Sequence, residues 1–437
     1  MEETTMKYRW FIVFMLFLAC AISYLDRAAL SVAAPLIAKD LHLDPAHLGI
    51  VFSAFFVGYS LFCFIGGYAA DRFGAKRVLV VAIGLWSIFC GLTAVASSLA
   101  MLLVIRVIFG AGEGPLATCT NKIISGWFER KEQTTAVGFA NSGLQLGAAL
   151  AGPVVGLMAV HWGWRIPFIL IGMLGVLWVL MWSIFSTDRP EGNRWVRGAM
   201  PPGSDAGAEL AAREPVAHTP LSFYLKSPTI WATSLAYFGY AYILYFFLSW
   251  FPSYLMMERH LSLASMSIVN VIPWILGFMG IALGGFISDR IFRLTGNALK
   301  SRKIVIVGGL LIAAVCVACA GTANSVGAAV TLMGITVFFM NLTLSVYWAI
   351  ILDTVEPARM GGVGGFMHLL ANTAGILAPI LTGFLVQWTK VFTSAFVLSG
   401  GVALAGAVAV AVFVRAPRNI PDTHVNLCAQ DPHPLTD

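Results

Sequence analysis

Charge is what this sequence has least of. Asp, Glu, Lys and Arg make up 11% of its 437 residues while 59% are hydrophobic, against about a quarter charged in a soluble globular domain, so a water-soluble globule is excluded. Also missing is period-2 alternation in runs of about ten, which excludes a membrane β-barrel. The seven cysteines give no disulfide framework, since all but Cys428 fall in apolar stretches. Cys316-x-x-Cys319 has the spacing of a redox or zinc motif, but inside a continuous apolar run packing accounts for it. No nucleophile–base set, phosphate loop or metal cluster stands out, so no enzyme, cofactor or metal is expected. No groove-reading or aromatic-basic pattern points to nucleic acid.

What is present is a series of apolar segments, each near the ~20 residues a helix needs to cross a bilayer. Twelve can be placed: Trp10 to Ala38, Leu48 to Ala70, Val78 to Ser97, Ala100 to Asn121, Thr134 to Val160, Ile166 to Phe185, Thr229 to Met256, Ser265 to Ile287, Ile304 to Ala320, Val326 to Leu352, Gly361 to Trp388 and Val391 to Val414. The first is preceded by Lys7 and Arg9 in the manner of a signal peptide, but its length and the Asp26-Arg27 pair inside it argue against cleavage. Of the 27 Lys and Arg residues, 21 fall at the ends and loops on the side of the N-terminus. The opposite side has Lys39, Arg165, Arg259 and Lys390, and Arg27 and Arg106 lie within segments. By the positive-inside rule both termini are expected in the cytoplasm, in a multi-pass protein of the plasma (inner) membrane. The same bias accounts for the net charge of +6.

Hydropathy drops between Ser186 and Pro228, so the reading is a first six-helix unit over 1–185, a cytoplasmic linker over 186–228 with room for a short surface helix, a second six-helix unit over 229–414 and a tail over 415–437. A repeat supports the division. Gly67-x-x-x-Asp71-Arg72 recurs 218 positions later as Gly285-x-x-x-Asp289-Arg290, each copy following the second segment of its half.

The first copy, Gly67-Tyr-Ala-Ala-Asp71-Arg72-Phe-Gly74-Ala-Lys76-Arg77, resembles the loop signature of the major facilitator superfamily. The second is looser and ends in Lys300, Arg302 and Lys303 after an insertion. Tyr24-Leu-Asp26-Arg27, Arg106-Val-Ile-Phe-Gly-Ala-Gly-Glu113-Gly-Pro115, Gly126-Trp127-Phe128, Asn141-Ser142-Gly143 and Trp250-Phe251-Pro252 together resemble the anion:cation symporter family within it. That family includes carriers of galactonate, glucarate, hexuronate and other organic acids. The resemblance implies an all-α membrane protein with the major facilitator fold: twelve transmembrane helices in two pseudo-symmetric six-helix bundles that rock about a midplane site. It also implies a gating role for Gly67, Asp71, Arg72, Gly74, Asp289 and Arg290, with Asp71 latching onto the neighbouring bundle. In relatives that carry sugar acids, positions matching Tyr59, Ser345 and Trp348 line the site and the one matching His368 commonly bears an amide, so His368 is a departure. The family's fifth-helix glutamine falls on Leu144, one place and ~100° from Gln145.

The residues make the same case by themselves. Asp26, Arg27, Arg106 and Glu113 sit at membrane depth, where four charges cost on the order of 10–14 kcal/mol. Their formal sum is zero, so an empty site can be a balanced network. Adjacent helix positions diverge by about 100°, which sends Arg27, whose planar fork suits a carboxylate, to the central cavity and Asp26 to the packed side. There Arg106 is the expected counter-ion. Arg106 and Glu113 lie on one face about 10.5 Å apart, too far for a direct bond. Glu113, framed by Gly112, Gly114 and Pro115, is the expected proton carrier, with Asp26 and Arg106 in the coupling set.

The second half has no comparable charges, Asp353 and Glu356 reading as loop residues at a helix end. Instead Asn341, Ser345 and Trp348 form one stripe at i, i+4, i+7, and His368 and Asn372 another at i, i+4, suited to a hydroxylated ligand. The substrate-binding set is therefore Arg27, Tyr59, Asn141, Gln145, Ser345, Trp348, His368 and Asn372. The expectation is a monomer that imports a small organic anion, a sugar acid or related hydroxylated carboxylate, together with protons. A sodium-coupled or exchange carrier, or a non-transporting sensor of the same fold, is the alternative.

Overall fold

The computed structural model describes residues 2–128, 130–190, 193, 195–196, 220–355 and 359–415. Among them are twelve helices long and apolar enough to span a membrane: α1 (Lys7–Asp40), α2 (Pro45–Ala70), α3 (Ala75–Val95), α4 (Leu99–Trp127), α5 (Thr135–Trp162), α6 (Arg165–Phe185), α7 (Pro228–Met257), α8 (Leu263–Thr295), α9 (Ala298–Gly321), α10 (Val326–Ile351), α11 (Gly362–Thr389) and α12 (Thr393–Phe413). Helices are what hydrocarbon demands, because each backbone N–H must be satisfied within its own segment. Side chains in the short connections fix where several begin: Asp44 accepts from the amide of His47 ahead of α2, Ser98 from Met101 ahead of α4, Asn297 from Lys300 ahead of α9 and Ser325 from Ala328 ahead of α10.

Four spans are interrupted. α4 breaks at Gly114–Pro115 between Leu99–Glu113 and Leu116–Trp127, α5 passes through a π-turn at Gly152–Gly156, α8 breaks at Asn270 and α10 at Thr343. The packing is repeated: α1 on α5, α2 on α4 and α3 on α6 in the first half correspond to α7 on α11, α8 on α10 and α9 on α12 in the second. The halves meet through α1 against α7, α2 against α11 and α5 against α8.

With an even number of spans, the start of α1 and the end of α12 share one side, here the terminal side. On the opposite, far side the halves are pressed together. A Cβ on Gly49 of α2 would stand 2.6 Å from the Pro379 carbonyl of α11, and one on Gly383 of α11 would stand 2.5 Å from the Pro45 carbonyl. The Ser53 hydroxyl donates to the Ile376 carbonyl at 2.7 Å, and the Ala46 amide to Gln387 Oε1 at 3.1 Å. Gly152 and Gly156 of α5 lie directly against Ser267 of α8, because glycine lets helices approach this closely.

Residues 197–219, most of the expected linker, lie outside the described residues, as do Glu356 and the tail from 416. A short helix, Leu221–Leu225, precedes α7. At the other end of the linker Asp188 returns to the first bundle. Its Oδ1 accepts from the Lys76 amide at the start of α3, 2.7 Å, and a Cβ on Gly74 would stand 2.5 Å from its Oδ2. Gly74 has φ +87°, so the signature glycine answers both a left-handed turn and the approach of this carboxylate. Asp353 is helical, in the last turn of Leu344–Thr354 beyond the end of α10, rather than in a loop. It pairs with Arg302 Nε at 3.6 Å; partial burial pushes its carboxyl above the ordinary range and Arg302 opposes that.

Candidate functional site

Glycines bring α2 and α4 together backbone to backbone. Gly58 lies against the Val107 carbonyl and Gly110 against that of Phe55, while a Cβ on Gly114 would be 2.8 Å from the Tyr59 carbonyl. A Cβ on Gly112 would be 2.9 Å from the Trp86 amide of α3. Side chains there would force the helices apart, so this composition is what sets Glu113, at the break in α4, facing α1.

On α1, Ser23 and Arg27 are one turn apart and point the same way. Arg27 Nη2 donates to Glu113 Oε1 at 2.5 Å, and so does the Ser23 hydroxyl at 2.5 Å. All three are buried, and Glu113 Oε2 has no partner. A charge-assisted pair of this kind is what membrane depth requires of both ions. The guanidinium is enclosed by rings: its carbon lies 4.8, 4.6, 5.8 and 4.9 Å from the centroids of Tyr24, Phe55, Phe56 and Tyr59. Nη2 is committed to Glu113 and Nε is shielded without a partner.

The expected Asp26–Arg106 ion pair is not formed. Asp26 does face the packed side of the bundle, but its neighbour is Cys90 of α3, whose Sγ lies 3.4 Å from Oδ1, and Oδ2 is buried without a partner. Arg106 instead stacks over Phe55 and Phe109, both at 5.0 Å. Phe55 thus lies beside two guanidinium groups, holding Arg106 by its ring face. The separation of Arg106 from Glu113 follows the helix geometry, and the acid's direct partner is Arg27.

The second half meets this cluster with aromatic and neutral polar groups. Tyr245 of α7 packs edge-on to Phe56, centroids 4.4 Å apart. Its hydroxyl donates to Asn372 Oδ1 at 3.0 Å, and Asn372 Nδ2 donates to the His368 carbonyl at 2.9 Å. Asn341 is held likewise, accepting from Tyr240 at 3.0 Å and donating to the Val337 carbonyl at 2.9 Å. Both amides are therefore occupied in joining helices. The stripe expected along α10 is divided by the break at Thr343: Asn341 is buried above it, while Ser345 and Trp348 below it are exposed. His368 lies between Trp348 and Tyr237, with centroids 6.4 and 6.2 Å away, and its Nδ1 is shielded without a partner.

On α5, Gly143 and Gly147 face the backbone of α1 at Phe17 and Ala21. Asn141, on an adjoining face, is exposed, and Gln145 is half-buried with Oε1 lacking a partner. Of the expected gating residues, Arg72 and Arg290 are exposed, while the side chains of Asp71 and Asp289 lie outside what is described. Ser23, Phe55, Phe56, Cys90, Tyr237 and Tyr245 were not read from the sequence as site residues. Only Ser23 carried a usable signal, its i, i+4 relation to Arg27.

Two bundles of six spans, joined at a seam with ionisable groups buried beside it, define a membrane carrier. The sequence profile of the Major Facilitator Superfamily matches residues 16–348, and the chain belongs to that superfamily as a transporter rather than an enzyme. It is 47% identical over 406 residues to the hexuronate transporter of Bacillus subtilis (strain 168), covering 92% of this chain and 94% of that one. To a probable sulfoacetate transporter of Cupriavidus necator it is 32% identical over 92% and 93% of the two chains, and to a probable L-galactonate transporter of Escherichia coli (strain K12) 30% over 93% and 89%. Its fold is similar to a bacterial homologue of the lysosomal transporter Spinster in an inward-facing, unoccupied conformation, with TM-score 0.72, 20% identity and coverage of 93% and 95%.

Proposed function

We propose that this chain is a proton-coupled symporter that imports a sugar acid across the plasma membrane. The observation that carries the reading is Arg27, a cation boxed by four rings and tied by one nitrogen to Glu113. An incoming carboxylate competes with Glu113 for the same guanidinium, and protonating Glu113 releases Arg27 to receive it. Binding and protonation then favour the same state, which is the requirement for symport. Asp26 is the second proton site. Tyr59, Ser345, Trp348 and His368 surround the hydroxylated end of the ligand, with Gln145 and Asn141 on the α5 side and Asn372 behind His368. The names of similar proteins, above all the hexuronate transporter, support a sugar acid as the cargo.

The state described has the far side sealed. With the termini in the cytoplasm, it is the inward-facing member of the cycle, and Gly67, Asp71, Arg72, Gly74, Asp289 and Arg290 lie on the side that closes when the far side opens. The carrier acts as a monomer in this reading. In proteoliposomes, Glu113→Gln is expected to lose D-glucuronate accumulation driven by a pH gradient, while D-glucuronate still protects the protein from thermal unfolding. Accumulation at the wild-type level would remove Glu113 from coupling. Accumulation driven by a sodium gradient in place of the proton gradient would replace this reading with a sodium-coupled one.

A further inference from the structure

Asp26 is a buried carboxyl without a cation. Its Oδ1 is 3.4 Å from Cys90 Sγ, that sulfur is 3.6 Å from the Phe168 carbonyl of α6, and Oδ2 is unpartnered. Asp26 and Cys90 are each 2% exposed, so bulk water does not complete the set. The titratable groups around the carboxyl are Cys90 on α3 and Arg106 and Glu113 on α4; on α6 the neighbour is the Phe168 carbonyl. The thiol has one proton and two acceptors in reach. With Asp26 ionised, S–H turns to Oδ1. With Asp26 protonated on Oδ1, its O–H donates to sulfur and S–H turns to Phe168, so each donor in the chain keeps an acceptor.

We propose that Cys90 is a positioning residue for the second proton site: its thiol swings between Asp26 and the α6 backbone as Asp26 gains and loses a proton, and so sets the pH at which the carrier loads. This deepens the proton-coupled reading and rests on it. A lone thiol in an apolar helix needs no such role, but here, among the described residues, the sulfur is the one hydrogen-bonding side chain on a carboxyl held at membrane depth.

The test is the pH profile of D-glucuronate uptake into proteoliposomes for the wild type, Cys90→Ser and Cys90→Ala. Serine is a stronger donor and favours the ionised carboxyl, so uptake that requires protonated Asp26 should fall off at lower pH. Alanine removes the donor and should move the fall to higher pH, each by about half a pH unit or more. The S–H stretching band that Cys90→Ser removes should shift with pH in the wild type and stay fixed in Asp26→Asn, a readout that needs no substrate and that a packing role would not produce. A pH-dependent wild type with both variants superimposed on it overturns the role of Cys90 alone. A flat wild-type profile overturns the proton-coupled reading and this role with it.

Discussion

Arg27 shows how a membrane helix keeps a guanidinium without lipid contact. One nitrogen is neutralised by Glu113, and the faces of the plane are covered by rings that attract cations by their quadrupoles. Lysine could keep the charge but not the planar fork or the stacking. Arg27→Lys is therefore expected to weaken D-glucuronate binding at least about tenfold in a calorimetric titration while the protein still folds; unchanged affinity would mean that the anion is held elsewhere. The four buried charges were legible because each is costly at that depth. Their pairing was not, since only the glycine-spaced approach of α2 and α4, which turns Glu113 towards α1, brings that acid to Arg27, while Asp26 on α1 faces Cys90 instead. Uncharged partners such as Ser23, Cys90 and Tyr245 carry no cost in the sequence and become visible only by their neighbours.

At the scale of elements, the proposed cycle requires the seam between α2 and α11 to open. It closes without intervening side chains at Gly49 and Gly383, so a branched residue there acts as a wedge. Gly49→Val should hold the far side open, cut uptake at least about tenfold and speed alkylation of a Ser53→Cys reporter from that side. Normal uptake with a protected reporter would show that the seam does not gate. The loop between α2 and α3 gives a stability prediction: Gly74→Ala meets both a positive φ and the Asp188 carboxylate, and is expected to cost about 1–2 kcal/mol in thermal unfolding. The spans themselves were readable to within a few residues from apolar length, except that the fourth and eighth run on past their expected ends and the ninth begins at Ala298, before the expected Ile304, all on the terminal side. The break at Thr343 that splits the polar stripe of α10 was not readable, because Leu342-Thr343-Leu344 contains neither proline nor glycine.

For the whole molecule, the charges are unequally divided between the halves. The first half holds the four ionisable groups, Asp26, Arg27, Arg106 and Glu113, and the second answers with tyrosines, Trp348 and His368. In the proposed cycle, rocking moves a neutral, aromatic wall over a charged one and leaves the proposed proton sites in a single bundle. Large apolar side chains exposed along the spans, such as Val81, Met173 and Val315, are the lipid-facing surface of such an assembly, and Trp162 and Trp388 mark its far-side boundary. The proposed coupling reduces to one exchange, in which Arg27 trades Glu113 for the cargo's carboxylate and the acid takes a proton. The most direct test is to record proton and D-glucuronate entry together in proteoliposomes with a pH-sensitive dye inside. Proton entry in fixed proportion to D-glucuronate, lost in Glu113→Gln, is the expected result; D-glucuronate entry with no accompanying protons would contradict the account.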